Sequence, residues 1–90
     1  MTFEWDSRKE NANLTKHGVD FSEARFAFLD SRRIVLADAS HSGSERRLFC
    51  IGRTPRGILT VRYAHRGERI RIIGAGYWRK GKRIYEKENR

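Results

Sequence analysis

The chain changes its hydrophobic rhythm near residue 32. Before that point, capping residues and apolar positions suit helices, whereas beyond it apolar and polar residues alternate with a period of two. Phe3 to Trp5 reads as a short extended segment. Asp6 then suits the N-cap of a helix running through Lys16 and closed by Gly18. A second helix is predicted from a Ser22 cap, with Phe21 and Phe26 spaced as a hydrophobic staple and Asp30-Ser31 ending it. Four strands follow, over 33–37, 47–53, 58–65 and 68–74.

The connections agree with a largely antiparallel meander. The loop Asp38 to Glu45 is polar, Thr54-Pro55-Arg56-Gly57 places Pro and Gly where a type I turn wants them, and Arg66-Gly67 suits a two-residue hairpin. From Tyr77 the spacing is helical again, with Gly81 weakening the first turn. The predicted class is α+β: two N-terminal helices, a four-stranded sheet and a C-terminal helix. No internal repeat or low-complexity linker interrupts it, and 90 residues suit one domain, 1–90, with one small core.

Charge sharpens this picture. Residues 1–45 hold six Lys+Arg against eight Asp+Glu, a net −2, whereas residues 46–90 hold fourteen against three, a net +11, which together match the overall +9. A field so polarised steers the protein toward anions, nucleic acid above all. Within Arg69 to Arg90 the cations are interleaved with Tyr77 and Trp78, which add stacking surfaces that a merely solvated face does not need. The one cysteine, Cys50, excludes an intrachain disulfide, and its apolar surroundings from Leu48 to Ile51 predict a buried, inert thiol. With no apolar run of membrane-spanning length and no signal-peptide pattern, the expected compartment is the reducing cytoplasm, with no membrane partner.

Three motifs, Phe3-Glu4-Trp5-Asp6, Lys16-His17-Gly18-Val19-Asp20-Phe21 and Arg69-Ile70-Arg71-Ile72-Ile73, together with the element order, resemble the BrnT family of toxins across nearly the whole chain. The segment from Gly74 through Tyr77-Trp78 to Glu86 looks like one branch of that family. This resemblance implies a RelE-like ribonuclease fold and a bacterial type II toxin-antitoxin system that arrests growth by cutting RNA. It also implies a BrnA-type antitoxin, with operator DNA reached only through the antitoxin complex. In many such sequences a Ser-Ala-Arg follows the last strand. Here Gly74-Ala75-Gly76 stands there, so that arginine's role is not carried over, an attenuated enzyme stays open, and Arg79 is the candidate to supply the charge from the next turn.

Metal-independent RNA cleavage uses the 2′-hydroxyl as nucleophile, and so needs a base, an acid for the departing 5′-oxygen and positive charge around the phosphoryl oxygens. Period-two alternation sends Arg69 and Arg71 to one face and Ile70 and Ile72 to the other, giving a cationic floor. Arginine grips phosphate bidentately but is a poor base. His65, joined to this strand through the tight turn, is the candidate for proton transfer, with a solvent-facing turn histidine as the alternative. His17 reads as a helix C-terminal cation and His41 as a loop residue.

Trp78, Lys82 and Tyr85 fall on one helical stripe if the helix includes Trp78. Tyr85 is expected to pack with a polar hydroxyl tip, Tyr77-Trp78 to stack a base, and Arg79, Lys80, Lys82 and Arg83 to line the RNA path. No metal-ligand spacing, nucleotide-binding glycine loop or nucleophile motif occurs, so neither metal nor cofactor is expected. Two alternatives remain at this point: a non-catalytic nucleic-acid-binding module or co-repressor that only grips phosphates, and an inert domain whose basic surface docks an acidic protein.

Overall fold

A computed structural model describes residues 1–41 and 43–90; the side chain of His41 also lies outside the described residues. The extended start of the chain is a true strand, β1 (Thr2–Glu4). It runs parallel to the last strand, β5 (Arg69–Gly76), pairing Phe3 with Ile70 and Glu4 with Arg71. In α1 (Ser7–His17), Asp6 accepts the N–H groups of Arg8 and Lys9, and Gly18 at φ 68° closes the helix as predicted. A left-handed φ there costs glycine nothing.

The second helix departs from expectation. Asp20, not Ser22, is the cap, accepting the Glu23 N–H, so α2 (Phe21–Ala24) starts earlier and tightens at once into a 3₁₀ segment, Arg25–Leu29. No staple forms, because Phe21 lies inside the first turn and is buried while Phe26 is 46% exposed.

The strands β2 (Ile34–Ala37), β3 (Arg47–Thr54) and β4 (Gly57–Arg66) complete a five-stranded sheet of order β1-β5-β4-β3-β2, antiparallel except for the β1–β5 pair. The expected count of four missed β1, whose three residues show too little alternation to read as a strand. Within the polar loop 38–45, Ala39–His41 form a 3₁₀ turn, and Ser42 is not among the described residues. Pro55-Arg56 turn β3 into β4 as predicted. The next hairpin turns on Gly67-Glu68 rather than Arg66-Gly67, because Gly67 (φ 62°) supplies the left-handed backbone at the first turn position. One bulge marks β5: Arg62 pairs with Gly74 and Tyr63 with Ile72, which leaves Ile73 as the extra residue. The bulge resets the alternation, so Gly74 and Gly76 share a face with Arg69 and Arg71.

Each face of the sheet carries its own apolar layer. On one, Val19, Phe21, Ala24, Ala27 and Phe28 pack against Cys50, Leu59, Val61, Tyr63, Ile70, Ile72 and Ala75. Gly52 is required here, since a Cβ would collide with the Ala27 carbonyl. On the other face lies α3 (Arg79–Glu88), joining Tyr85 and Ile84 to Ile51, Ile58 and Ile34. The expected stripe of Trp78, Lys82 and Tyr85 is thereby corrected: Trp78 is the N-cap residue, Lys82 is exposed, and Gly81, Ile84 and Tyr85 face inward. Where β1 ends, the open edge of β5 is closed by Asn13, whose amide donates to Ala75 O at 2.9 Å and accepts from Ala75 N at 3.0 Å. A side chain thus stands in for a missing strand.

Candidate nucleic-acid interface

Only part of its sheet face is covered by α3. Beside the helix, on the same face, register and alternation align Arg47 with Ala64 and Arg71, Phe49 with Arg62 and Gly74, and Arg66 with Arg69. The floor predicted from Arg69 and Arg71 therefore extends across three strands. The added residues were legible in principle, because writing the hairpin register brings Arg62 and Arg66 onto the face of Arg69 and Arg71.

Carboxylates hold several of these guanidinium groups in place. Glu4 receives Arg71 at 2.8 Å and Arg69 at 3.5 Å, Glu45 receives Arg66 at 2.9 Å, and Arg62 Nε lies 3.0 Å from Asp38 Oδ2, off the hydrogen-bond axis. The Arg71 hydrogen bond, first among several causes, holds the Glu4 carboxyl below its ordinary range. Ion pairs of this partly exposed kind are weak and screened. A guanidinium has five donors, so one carboxylate contact orients it while leaving capacity for a phosphate.

Between this floor and α3 lies a cleft of about 470 Å³, whose wall includes Phe49, Thr60, Arg62, Trp78, Lys80 and Gly81. Trp78 is 37% exposed. Its indole lies over Gly76 so closely that a Cβ there would collide with the ring, and it meets the His17 ring edge-to-face at 5.3 Å. This accounts for the missing arginine: Gly74-Ala75-Gly76 is the end of β5 rather than a segment beyond it, and Trp78 occupies the space a side chain at Gly76 would need. Sequence reading placed His17 at a helix end but gave no sign that it would meet Trp78, since the contact spans the chain.

The other predicted site residues divide. Tyr77 does not present a free ring. Its hydroxyl bonds Glu23 and Thr54, and Arg56 stacks on it at 4.9 Å while paired with Glu23 at 2.9 Å. Burial first, and then the Glu23 carboxylate, push the Tyr77 hydroxyl above its ordinary pKa. Arg79 and Lys82 line a different cleft, with Arg53, Arg56 and Tyr77, so of the four α3 cations expected to line the RNA path only Lys80 joins Arg62. Arg83 is exposed and lines neither cleft.

His65 pairs with Ile70, and its ring meets Tyr63 at 5.6 Å on the face opposite Arg71. Across a two-residue hairpin an odd-numbered residue faces an even-numbered one, so nearness in sequence did not put His65 beside Arg69 and Arg71. Tyr85 behaves as expected, buried and with its hydroxyl donated to Asp30. Cys50 is fully buried, and burial pushes its thiol up to about 12. Among the described residues no group of three His, Cys, Asp or Glu side chains is arranged to hold a metal, and no helix is long and apolar enough to cross a membrane.

A small mixed α+β protein with a cationic sheet face beside an aromatic cleft belongs among proteins that handle polyanions. The family model for BrnT, the ribonuclease toxin of type II toxin-antitoxin systems, matches residues 5–81, and the chain belongs to that family. A comparison with curated proteins finds no match.

Proposed function

We propose that this chain is a metal-independent endoribonuclease acting in the cytoplasm, restrained by a BrnA-type antitoxin and reaching operator DNA only in complex with it. The observation that carries the reading is the alignment of Arg62, Arg66, Arg69 and Arg71 on one sheet face beside the cleft of Trp78 and Lys80. Family membership supports the same reaction. On this reading single-stranded RNA lies along the sheet face, and Trp78 offers a partly exposed ring to a base. The arginines stabilise charge that develops on the phosphoryl oxygens.

Two histidines stand as candidates for the proton. His65 sits at the end of β4 on the far face, and His17 adjoins Trp78. A proton-transfer role predicts a loss on the order of 10² to 10⁴ in single-turnover rate for His65→Ala or His17→Ala, together with a changed pH profile. The orientation of His65 favours a second reading, in which the chain grips nucleic acid without cutting it. Incubating the purified protein with RNA in a chelator separates the two. Products ending in 2′,3′-cyclic phosphate or 3′-phosphate support the nuclease, 3′-hydroxyl ends refute this mechanism, and tight binding without cleavage supports the second reading.

A further inference from the structure

Trp78 forms part of the wall of two clefts. One lies beside the arginine floor. The other, of about 400 Å³, is lined by Arg53, Arg56, Arg79 and Lys82 against a single carboxylate, Glu86. These cations come from three parts of the chain: the end of β3, the turn into β4 and the start of α3. Like charges repel, so a fold that gathers them at one place holds them against a cost that binding an anion would relieve.

Two of the arginines are held in the same way. Arg56 lies 4.9 Å over the Tyr77 ring, whose hydroxyl is bonded to Glu23, and Arg53 lies 5.7 Å over the Tyr85 ring, whose hydroxyl is bonded to Asp30. In each unit the carboxylate fixes the phenol and the ring fixes the guanidinium. Stacking occupies the flat face of a guanidinium and leaves its edge donors for an anion. Arg56 uses Nη1 on Glu23 and on the Gly18 carbonyl, which leaves its remaining N–H groups. Among the described residues Arg53, Arg79 and Lys82 make no ion pair with a carboxylate, and all three are exposed.

We propose that this second cleft also binds the RNA backbone, so that one strand crosses Trp78 with phosphates to either side of it. Arg62 and Lys80 receive the backbone in the first cleft, and Arg53, Arg56, Arg79 and Lys82 receive it in the second. A single-stranded nucleic acid suits the pair of clefts better than an acidic peptide does. The wall they share is a ring 37% exposed, on which a base can lay its flat face and a carboxylate side chain cannot. The inference rests on the reading that RNA is the substrate, and it carries the path of that RNA beyond the sheet face. The second cleft grips the strand and takes no part in proton transfer.

A fluorescent single-stranded RNA of about ten nucleotides, methylated at every 2′-hydroxyl so that it cannot be cut, tests the site by anisotropy across a salt series. Arg79→Gln/Lys82→Gln should weaken binding on the order of tenfold and reduce the salt slope by about 1. Lys87→Gln/Arg90→Gln removes the same charge at exposed positions that line neither cleft, and should change affinity by less than about threefold. Equal losses for the two pairs, or a salt slope unchanged by Arg79→Gln/Lys82→Gln, overturn the proposal even where the unmodified protein cuts ordinary RNA. Polyglutamate of the same length that binds as tightly as the RNA, and loses as much with Arg79→Gln/Lys82→Gln, would make the cleft a protein-docking surface and overturn it too. Selective loss with that pair, in a protein that leaves unblocked RNA intact, upholds the cleft and sinks the ribonuclease reading.

Discussion

Replacing Tyr85 by Phe removes one oxygen from the contact that fastens α3 to the rest of the molecule. The Tyr85 side chain is 4% exposed, and its hydroxyl donates to Asp30. Asp30 also accepts the Arg53 N–H at 2.7 Å and the Arg32 N–H at 2.9 Å. A hydrogen bond to a charged group contributes about 1.5–3 kcal/mol, and because Asp30 keeps its two backbone donors the lower end, about 1.5 kcal/mol, applies. For 90 residues the unfolding entropy is roughly 0.19 kcal/mol/K, so Tm should fall by about 8 °C. Acid should erase the difference. Burial raises the Asp30 carboxyl, but the bonds from Tyr85, Arg53 and Arg32 outweigh it and leave the group below its ordinary value. A depressed carboxyl contributes stability that is fully present above the unfolded value of about 3.9 and is lost as pH falls through the folded value. Thermal melts by circular dichroism at pH 7 and in an acid series measure both effects. A loss under about 2 °C at pH 7, or a gap that widens in acid, would refute the reasoning.

Other expectations concern packing, reactivity and association. Gly52→Ala should destabilise by about 1–3 kcal/mol, because the new methyl meets the backbone of Ala27, which cannot swing aside as a side chain could; denaturant midpoints at unchanged m-value measure it. Cys50, buried and with its thiol pushed up to about 12, should resist alkylation at pH 8 in the native protein and react only on unfolding, as mass spectrometry would record. The +11 half-chain should make association with an acidic antitoxin fall steeply with salt, whereas Trp78→Ala should mainly speed dissociation. A salt-independent association rate would contradict that steering.

Four of the five strands, the first helix with its Asp6 and Gly18 caps, and the Pro55 turn were readable because each rests on local chemistry. Arg69 and Arg71 sharing a face followed from alternation alone. What escaped the sequence depends on register or on contacts between distant residues. The parallel pairing of β1 with β5 joins the two ends of the chain, and the bulge at Ile73 that turns Gly74 and Gly76 toward Trp78 has no local signature. Tyr77 read as a base-stacking ring because its partners Glu23, Thr54 and Arg56 lie far away in sequence. His65 was linked to Arg71 by nearness along the chain, a criterion that ignores which face each occupies. Thr60, polar within an apolar strand, carried the one overlooked hint of the cleft.

If RNA is bound and cut on the face shared by Arg62, Arg69 and Arg71, single-turnover cleavage by a matched set of arginine variants will reveal it. Arg71→Lys keeps the charge but loses the planar pair of donors, so its cleavage rate should fall by on the order of tenfold or more while affinity changes less. Arg8→Gln, which removes an exposed cation on α1, should leave both within about twofold. Equal losses for Arg8→Gln and Arg71→Lys, or undiminished cleavage by Arg71→Lys, would contradict the assignment of this face.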